Sequence, residues 1–291
     1  MPGIGWDVVA GAKWGVRACV ACALGVAVML SGCTGGPPSH DESAGPSVTP
    51  RAAAVADVTT LGVLGDSISL GVNACAQPGE CTAASWVMGS EASVDSLATR
   101  IAHATGRRPA IANGAVSGAT IAALLQTAPA VVAAKPQLVT ILIGANDACR
   151  PSVAAMTSAA EFRQAYGRLL DTVLDGLPNA RVLALSVPDL GRLAELGQAS
   201  PAIANTWSAF GVCGALLSGG RDAVARRVDD YNAAIEQLCA TRKRCSYDGG
   251  AVHAQSFSAA ELSEIDHFHP SRAGQARLAR LAWEALSSAG G

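Results

Sequence analysis

The run Leu138-Val139-Thr140-Ile141-Leu142-Ile143 constrains the fold more than any other stretch, because it is apolar or β-branched throughout and shows no polar alternation. A strand of that composition is buried on both faces. A sheet covered on both faces carries its helices in the connections between parallel strands. The rest of the chain has the matching pattern. Short apolar runs at Val58–Leu64, Ala110–Asn113, Arg181–Val187 and about Cys245–Val252 alternate with helix-like segments at Val94–Thr105, Ile121–Gln126, Ala159–Leu174, Asp222–Ala240 and Arg272–Leu286. The expectation is an α/β fold, a three-layer α/β/α sandwich around a central, mainly parallel five-stranded sheet. No repeat of the length that builds solenoids is present.

Half of the residues are hydrophobic, enough for one large core, and one folded domain is expected. The net charge is −2, with no block of Lys or Arg, so the electrostatic footprint of nucleic-acid binding is missing. Near the N-terminus, Lys13 and Arg17 precede the apolar run Ala18–Leu30. That run is too short to span the roughly 30 Å of bilayer hydrocarbon and sits where a signal peptide belongs. It ends in Leu30-Ser31-Gly32-Cys33, which resembles a bacterial lipobox, whose Cys is acylated and becomes the new N-terminus. An ordinary secretory signal with Cys33 incidental is the alternative. The segment that follows is rich in Gly, Pro, Ser, Thr and Ala and reads as a flexible tether. Residues 1–32 are therefore expected to be a lipoprotein-type signal peptide, 33–56 the lipidated Cys33 and linker, and 57–291 the folded domain. The chain would be exported, anchored by lipid on the outer face of the cytoplasmic membrane or secreted.

Cysteine usage agrees with export. Beyond Cys19, Cys22 and Cys33 the chain has Cys75, Cys81, Cys149, Cys213, Cys239 and Cys245, an even set suited to an oxidising compartment. The two close pairs suggest Cys75–Cys81 and Cys239–Cys245 as local loops, with Cys149–Cys213 as the remaining long-range bridge. Each would contribute on the order of 2–4 kcal/mol. A metal site fits poorly, because no C-x₂-C pair lies beyond the signal segment and no His stands at zinc-finger spacing to a Cys pair. No metal is expected. A redox or metal protein would instead require free thiols.

Four segments carry chemistry, each at the carboxyl end of an expected strand or in the last loop. Gly65-Asp66-Ser67-Ile68-Ser69 follows the first strand, where a strand-to-helix turn holds a hydroxyl out into the crevice; Asp66 and Ser67 as simple helix caps are the bland account. Asn113-Gly114-Ala115-Val116-Ser117-Gly118-Ala119-Thr120 follows the second, and a Gly there lets a backbone N–H approach a developing oxyanion, unless it is only a βα turn. Gly144-Ala145-Asn146-Asp147 follows the most strongly expected strand. Its Asn offers an uncharged amide donor, and an Asn-Asp turn is the competing account. Asp266-His267-Phe268-His269-Pro270 precedes the last helix; the D-x-x-H spacing lets the carboxylate hold one imidazole nitrogen and leaves the other for a serine proton. His267, His253 and His103 are read as surface or structural residues, and Asp147 and Asp189 as turn formers.

Together these segments resemble the four signature blocks of the SGNH/GDSL hydrolase superfamily, GDS, a Gly block, GxND and DxxH, over nearly all of residues 58–287. The cysteine spacing is similar to that of its secreted, disulphide-bonded bacterial esterases and lipases. The resemblance implies Ser67 as nucleophile, Asp266 and His269 as the other triad members, and an oxyanion hole from Ser67, Gly118 and Asn146. Gly118 is chosen over Gly114 by the family's spacing, and Ile68 replaces the usual Leu. It implies hydrolysis of carboxylic esters through an acyl-enzyme, by a monomer acting on a small-molecule or lipid ester without cofactor. Fatty-acyl esters, phospholipids and O-acetylated envelope glycans are all consistent substrates. A catalytically silent envelope lipoprotein is the rival from another class.

Overall fold

A computed structural model describes residues 54–288. The expected signal segment, Cys33 and nearly all of the linker lie outside the described residues. The sheet comprises β1 (Thr60–Gly65), β2 (Ala110–Asn113), β3 (Leu138–Leu142), β4 (Arg181–Ala184) and β5 (Cys245–Tyr247). Their order is β2-β1-β3-β4-β5, and every pairing is parallel. β3 is buried at every position, as its composition requires. It sits between β1 and β4, with Gly62 and Val182 as the neighbours of Val139.

The helices among the described residues are α1 (Leu97–Thr105), α2 (Ile121–Ala133), α3 (Ala145–Ala148), α4 (Ala159–Gly176), α5 (Leu190–Ala199), α6 (Pro201–Phe210), α7 (Gly214–Leu217), α8 (Arg221–Ala240) and α9 (Arg272–Ser288). α4 packs between α2 and α8, while α9 packs on α1. Right-handed crossovers place these groups on opposite faces of the sheet. The chain leaves β1 toward β2 on one side and returns to β3 on the other. A crevice therefore opens beyond the carboxyl ends of β1 and β3, where such folds bind ligands.

Local chemistry explains where element ends differ from the sequence reading. α1 begins at Leu97 rather than Val94, because Ser96 Oγ accepts from Thr99 N at 3.2 Å and caps the helix there. α2 runs beyond Gln126 and through Pro129 to Ala133. Its buried stripe of Ile121, Leu124, Ala128 and Val131 continues onto α4, and that packing offsets the lost proline donor. β4 stops at Ala184 instead of Val187, since Ser186 Oγ donates to Asp248 Oδ2 and Val187 N donates to Asn232 Oδ1. β5 stops at Tyr247, ahead of Gly249 and Gly250 at φ 66° and 80°. The segment holding α5, α6 and α7 was not anticipated as helical.

Disulfides join Cys75 to Cys81, Cys149 to Cys213 and Cys239 to Cys245. Three bridges point to an exported protein. Among the described residues no helix is long and apolar enough to cross a membrane. Cys75, Cys81 and Glu91 lie close enough to share an ion, but the two sulfurs are bonded to each other and are not thiolates.

Candidate active site

Past Gly65 the chain enters a compact turn in place of the helix expected there. Ser69 N and Leu70 N donate to the Asp66 carbonyl, and Val72 N donates to that of Ser67. Asp66 Oδ1 accepts from Ile68 N at 2.9 Å. The fully buried Gln275 of α9 clamps this turn, its Nε2 donating to Ile68 O at 3.0 Å and its Oε1 accepting from Trp86 N at 2.9 Å. Ser67 is thus fixed at the crevice with 7 % of its surface exposed.

His269 Nε2 stands 2.9 Å from Ser67 Oγ, and its Nδ1 stands 2.5 Å from Asp266 Oδ2. With Nδ1–H donated to the carboxylate, Nε2 is left to accept the serine hydroxyl. The Asp266 loop is tightly held. Its Oδ1 accepts from Phe268 N and His269 N, both at 3.0 Å, while Oδ2 also accepts from Asn73 Nδ2 at 2.6 Å. Trp207 of α6 donates its indole N–H to Asp266 O at 3.0 Å and sets its ring edge-on to Phe268, which in turn meets the His269 ring edge-on. Burial of Asp266 favours its neutral form, but the His269 hydrogen bond and charge, the Phe268 amide and Asn73 outweigh it and lower the pKa to about 2. The carboxylate is ionised throughout the neutral range.

The β3 block closes the other side. Gly144 turns the strand into α3 at φ 128°, and a Cβ there would lie 2.7 Å from Val187 Cγ2, so only glycine fits. The next turn carries Asn146, whose Nδ2 donates to Ala119 O at 3.1 Å and lies 3.4 Å from Asp66 Oδ2. That contact brings the Gly118–Ala119 turn beside Asn146, with Gly118 at φ 76° and open space where a side chain would be. Asp147 faces inward, accepting from Ile121 N at 2.9 Å and Thr157 Oγ1 at 2.8 Å. It braces α2 and the loop before α4. Burial raises the pKa of both Asp66 and Asp147 to about 6.

An apolar cleft opens beside His269, walled by Ile68, Pro188, Leu190, Leu193, Phe257 and Phe268. Asp189 lines it too, while its Oδ1 caps α5 by accepting from Arg192 N at 2.9 Å. The structure thus brings Ser67, Asp266, His269, Asn146 and the Gly118 turn to one place. The other histidines among the described residues have different surroundings. His253 bonds Val187 O and Asp229, His267 occupies a left-handed turn position, and His103 lies in the last turn of α1. Sequence reasoning did not single out Asn73, Trp207 or Gln275, none of which stands in a recurring spacing with the motif residues.

A Ser–His–Asp chain at the carboxyl edge of a doubly covered parallel sheet is the arrangement of a serine hydrolase. Residues 63–277 match the model of the GDSL-like lipase/acylhydrolase family. The chain belongs to that family and is a carboxylic ester hydrolase. Among solved structures, it is similar to a lipase/acylhydrolase from Enterococcus faecalis at 20 % identity and TM-score 0.50, with 79 % of this chain and 95 % of that one covered. A variant of an acetyl-xylooligosaccharide esterase from Geobacillus matches at 18 % identity and TM-score 0.53, covering 78 % and 94 %. A lipase from a goat rumen metagenome matches at 15 % and 0.53, covering 78 % and 96 %. At these identities the likenesses show a common fold. No curated protein sequence matches this chain.

Proposed function

We propose that the protein hydrolyses esters through an acyl-enzyme on Ser67, with His269 as general base and then acid, and Asp266 as the group that orients it. The observation carrying this reading is the unbroken chain from Ser67 Oγ to His269 Nε2, 2.9 Å, and from His269 Nδ1 to Asp266, 2.5 Å. Ser67 Oγ bonds to the acyl carbon as its proton passes to His269 Nε2, which delivers it to the departing alcohol. Water, deprotonated by the same nitrogen, then releases the acid and restores the hydroxyl. The Ser67 and Gly118 backbone N–H groups and the Asn146 amide receive the oxyanion. The apolar cleft beside His269 favours esters with an apolar acyl group over acetylated glycans.

The sequence Leu30-Ser31-Gly32-Cys33 behind an apolar run supports an exported domain tethered from about residue 57 by a lipid on Cys33. Such an anchor would hold the crevice near lipid or envelope esters.

A fluorophosphonate probe tests the mechanism, because it is captured only by an activated serine. Stoichiometric labelling that disappears in Ser67→Ala is expected, read as a shift in intact mass. An unlabelled parent, or labelling that survives the substitution, would remove Ser67 from the role and leave the silent binding protein as the better account. The Asn146 donor has its own expected signature. Asn146→Ala should lower kcat about 10²–10³-fold with a smaller change in KM, since an oxyanion donor acts on charge that exists only in the transition state. Steady-state kinetics on a p-nitrophenyl ester would measure it.

A further inference from the structure

Asn73 lies outside all four motif blocks, yet each of its polar atoms has a defined task. Its backbone is left-handed, at φ 57°. Its N–H donates to Gly79 O and its Oδ1 accepts from Gly79 N, both at 2.8 Å. Those bonds lock it to the loop that the Cys75–Cys81 bridge closes. Arg272, at the start of α9, bonds Cys75 Sγ at 3.2 Å and Glu91 at 2.6 Å, pinning the same loop from the other side. On the inner side, the Asn73 carbonyl accepts from Ser263 Oγ at 2.6 Å, and Ser263 N donates to His269 O at 2.8 Å. The remaining group, Nδ2, donates to Asp266 Oδ2 at 2.6 Å. That oxygen is the one that accepts from His269 Nδ1. Among the described residues this is the sole hydrogen bond to the carboxylate from outside its own loop.

We propose that Asn73, held by the disulfide-closed loop, is a positioning residue that fixes the Asp266 carboxylate and so sets the orientation and basicity of His269. This rests on the Ser67–His269–Asp266 reading. The direction of the effect follows from charge. An amide donor on Oδ2 neutralises part of the carboxylate's charge, and it is that charge which stabilises the imidazolium. Without the donor, the imidazole holds its proton more tightly and the carboxylate gains freedom to swing. Asp66, Asp189 and Arg192 also face the His269 region, and all three stay unchanged in the variants below.

Asn73→Gly keeps the left-handed backbone and removes the whole carboxamide, so the Asp266 contact is lost together with the Gly79 N contact. Asn73→Asp keeps an acceptor for Gly79 N and sets a second negative oxygen against Asp266. For Asn73→Gly we expect kcat to fall about tenfold with KM little changed, the scale of an outer partner that orients a working ligand. The acidic limb of the kcat/KM profile should move up by roughly half to one pH unit, and further in Asn73→Asp. The paired substitution Cys75→Ser with Cys81→Ser should move both quantities the same way by less. A glycine variant with the parent's kcat and acidic limb overturns the proposal. So does a lowered melting temperature with an unmoved limb, which is what a purely structural asparagine would give. Loss of fluorophosphonate labelling in the parent would instead sink the Ser67 reading itself, so the two failures are distinguishable.

Discussion

His269→Ala should lower kcat on a p-nitrophenyl ester by about 10⁴–10⁶-fold while leaving the melting temperature close to that of the parent. Among the described residues the imidazole is the one base within hydrogen-bond reach of Ser67 Oγ, and its free nitrogen can take the proton. Asp66 is the adjacent carboxyl, but it points into the protein, its Oδ1 taking the Ile68 amide and its Oδ2 facing Asn146. It has no geometry from which to replace the histidine. Ser67→Ala should reach the same floor, and the double variant should fall no further, because both residues serve one proton transfer and their losses do not add. Stability should hold in both cases. His269 contributes ring contacts with Phe268, but the loop retains the Trp207 indole bond and the Asp266 amide contacts. Kinetics on purified variants, with thermal melts alongside, decide the matter. A double variant much slower than either single one would mean that the two side chains act in separate steps.

The parts legible in the sequence are those where local composition and fold agree. β3 could be read because buried β-branched runs have few alternatives, and α4 because Ser158 and Glu161 form a capping box ahead of a stripe of Phe162, Tyr166, Leu169, Leu170 and Val173. The motif residues were legible for another reason. Ser67, Gly118 and Asn146 stand in the segments that leave β1, β2 and β3, so the topology carries them to the crevice, while Asp266 and His269 share the short loop before α9. The segment from Leu190 to Leu217 failed both tests. Its helices are short, α7 begins behind Cys213 in a left-handed conformation, and α6 is fixed by Trp207 reaching the Asp266 loop. That information is tertiary. Asn73 was hidden likewise, since nothing in Gly71-Val72-Asn73-Ala74 encodes a partner 193 positions away. β4 was overextended to Val187 because Leu185 and Val187 continue its apolar pattern past the point where Asn232 takes over the backbone partner, and β5 was overextended to Val252 across Gly249 and Gly250, whose left-handed backbone ends the strand.

Asp266→Asn should cost about 10⁴ in kcat at neutral pH, although it removes one charge and almost no volume. The carboxylate makes four acceptor contacts, two on each oxygen. An asparagine has a single oxygen to offer. If that oxygen stays with the Phe268 and His269 amides, the new NH₂ meets two donors, His269 Nδ1–H and Asn73 Nδ2. The imidazole then relieves the clash by shifting its proton to Nε2, which can no longer accept from Ser67. The opposite flip leaves Phe268 N and His269 N unsatisfied at the turn that presents the histidine. The same carboxylate also links the site to acid stability. Its folded pKa of about 2 lies below the ordinary value of about 3.9. The bonds it makes while ionised therefore stabilise the fold fully above pH 4, and that contribution is lost as the pH falls toward 2. The parent should exceed Asp266→Asn in melting temperature at pH 7, and the gap should close near pH 2. An asparagine variant with the parent's kcat would mean that the histidine tautomer is fixed by something other than this carboxylate.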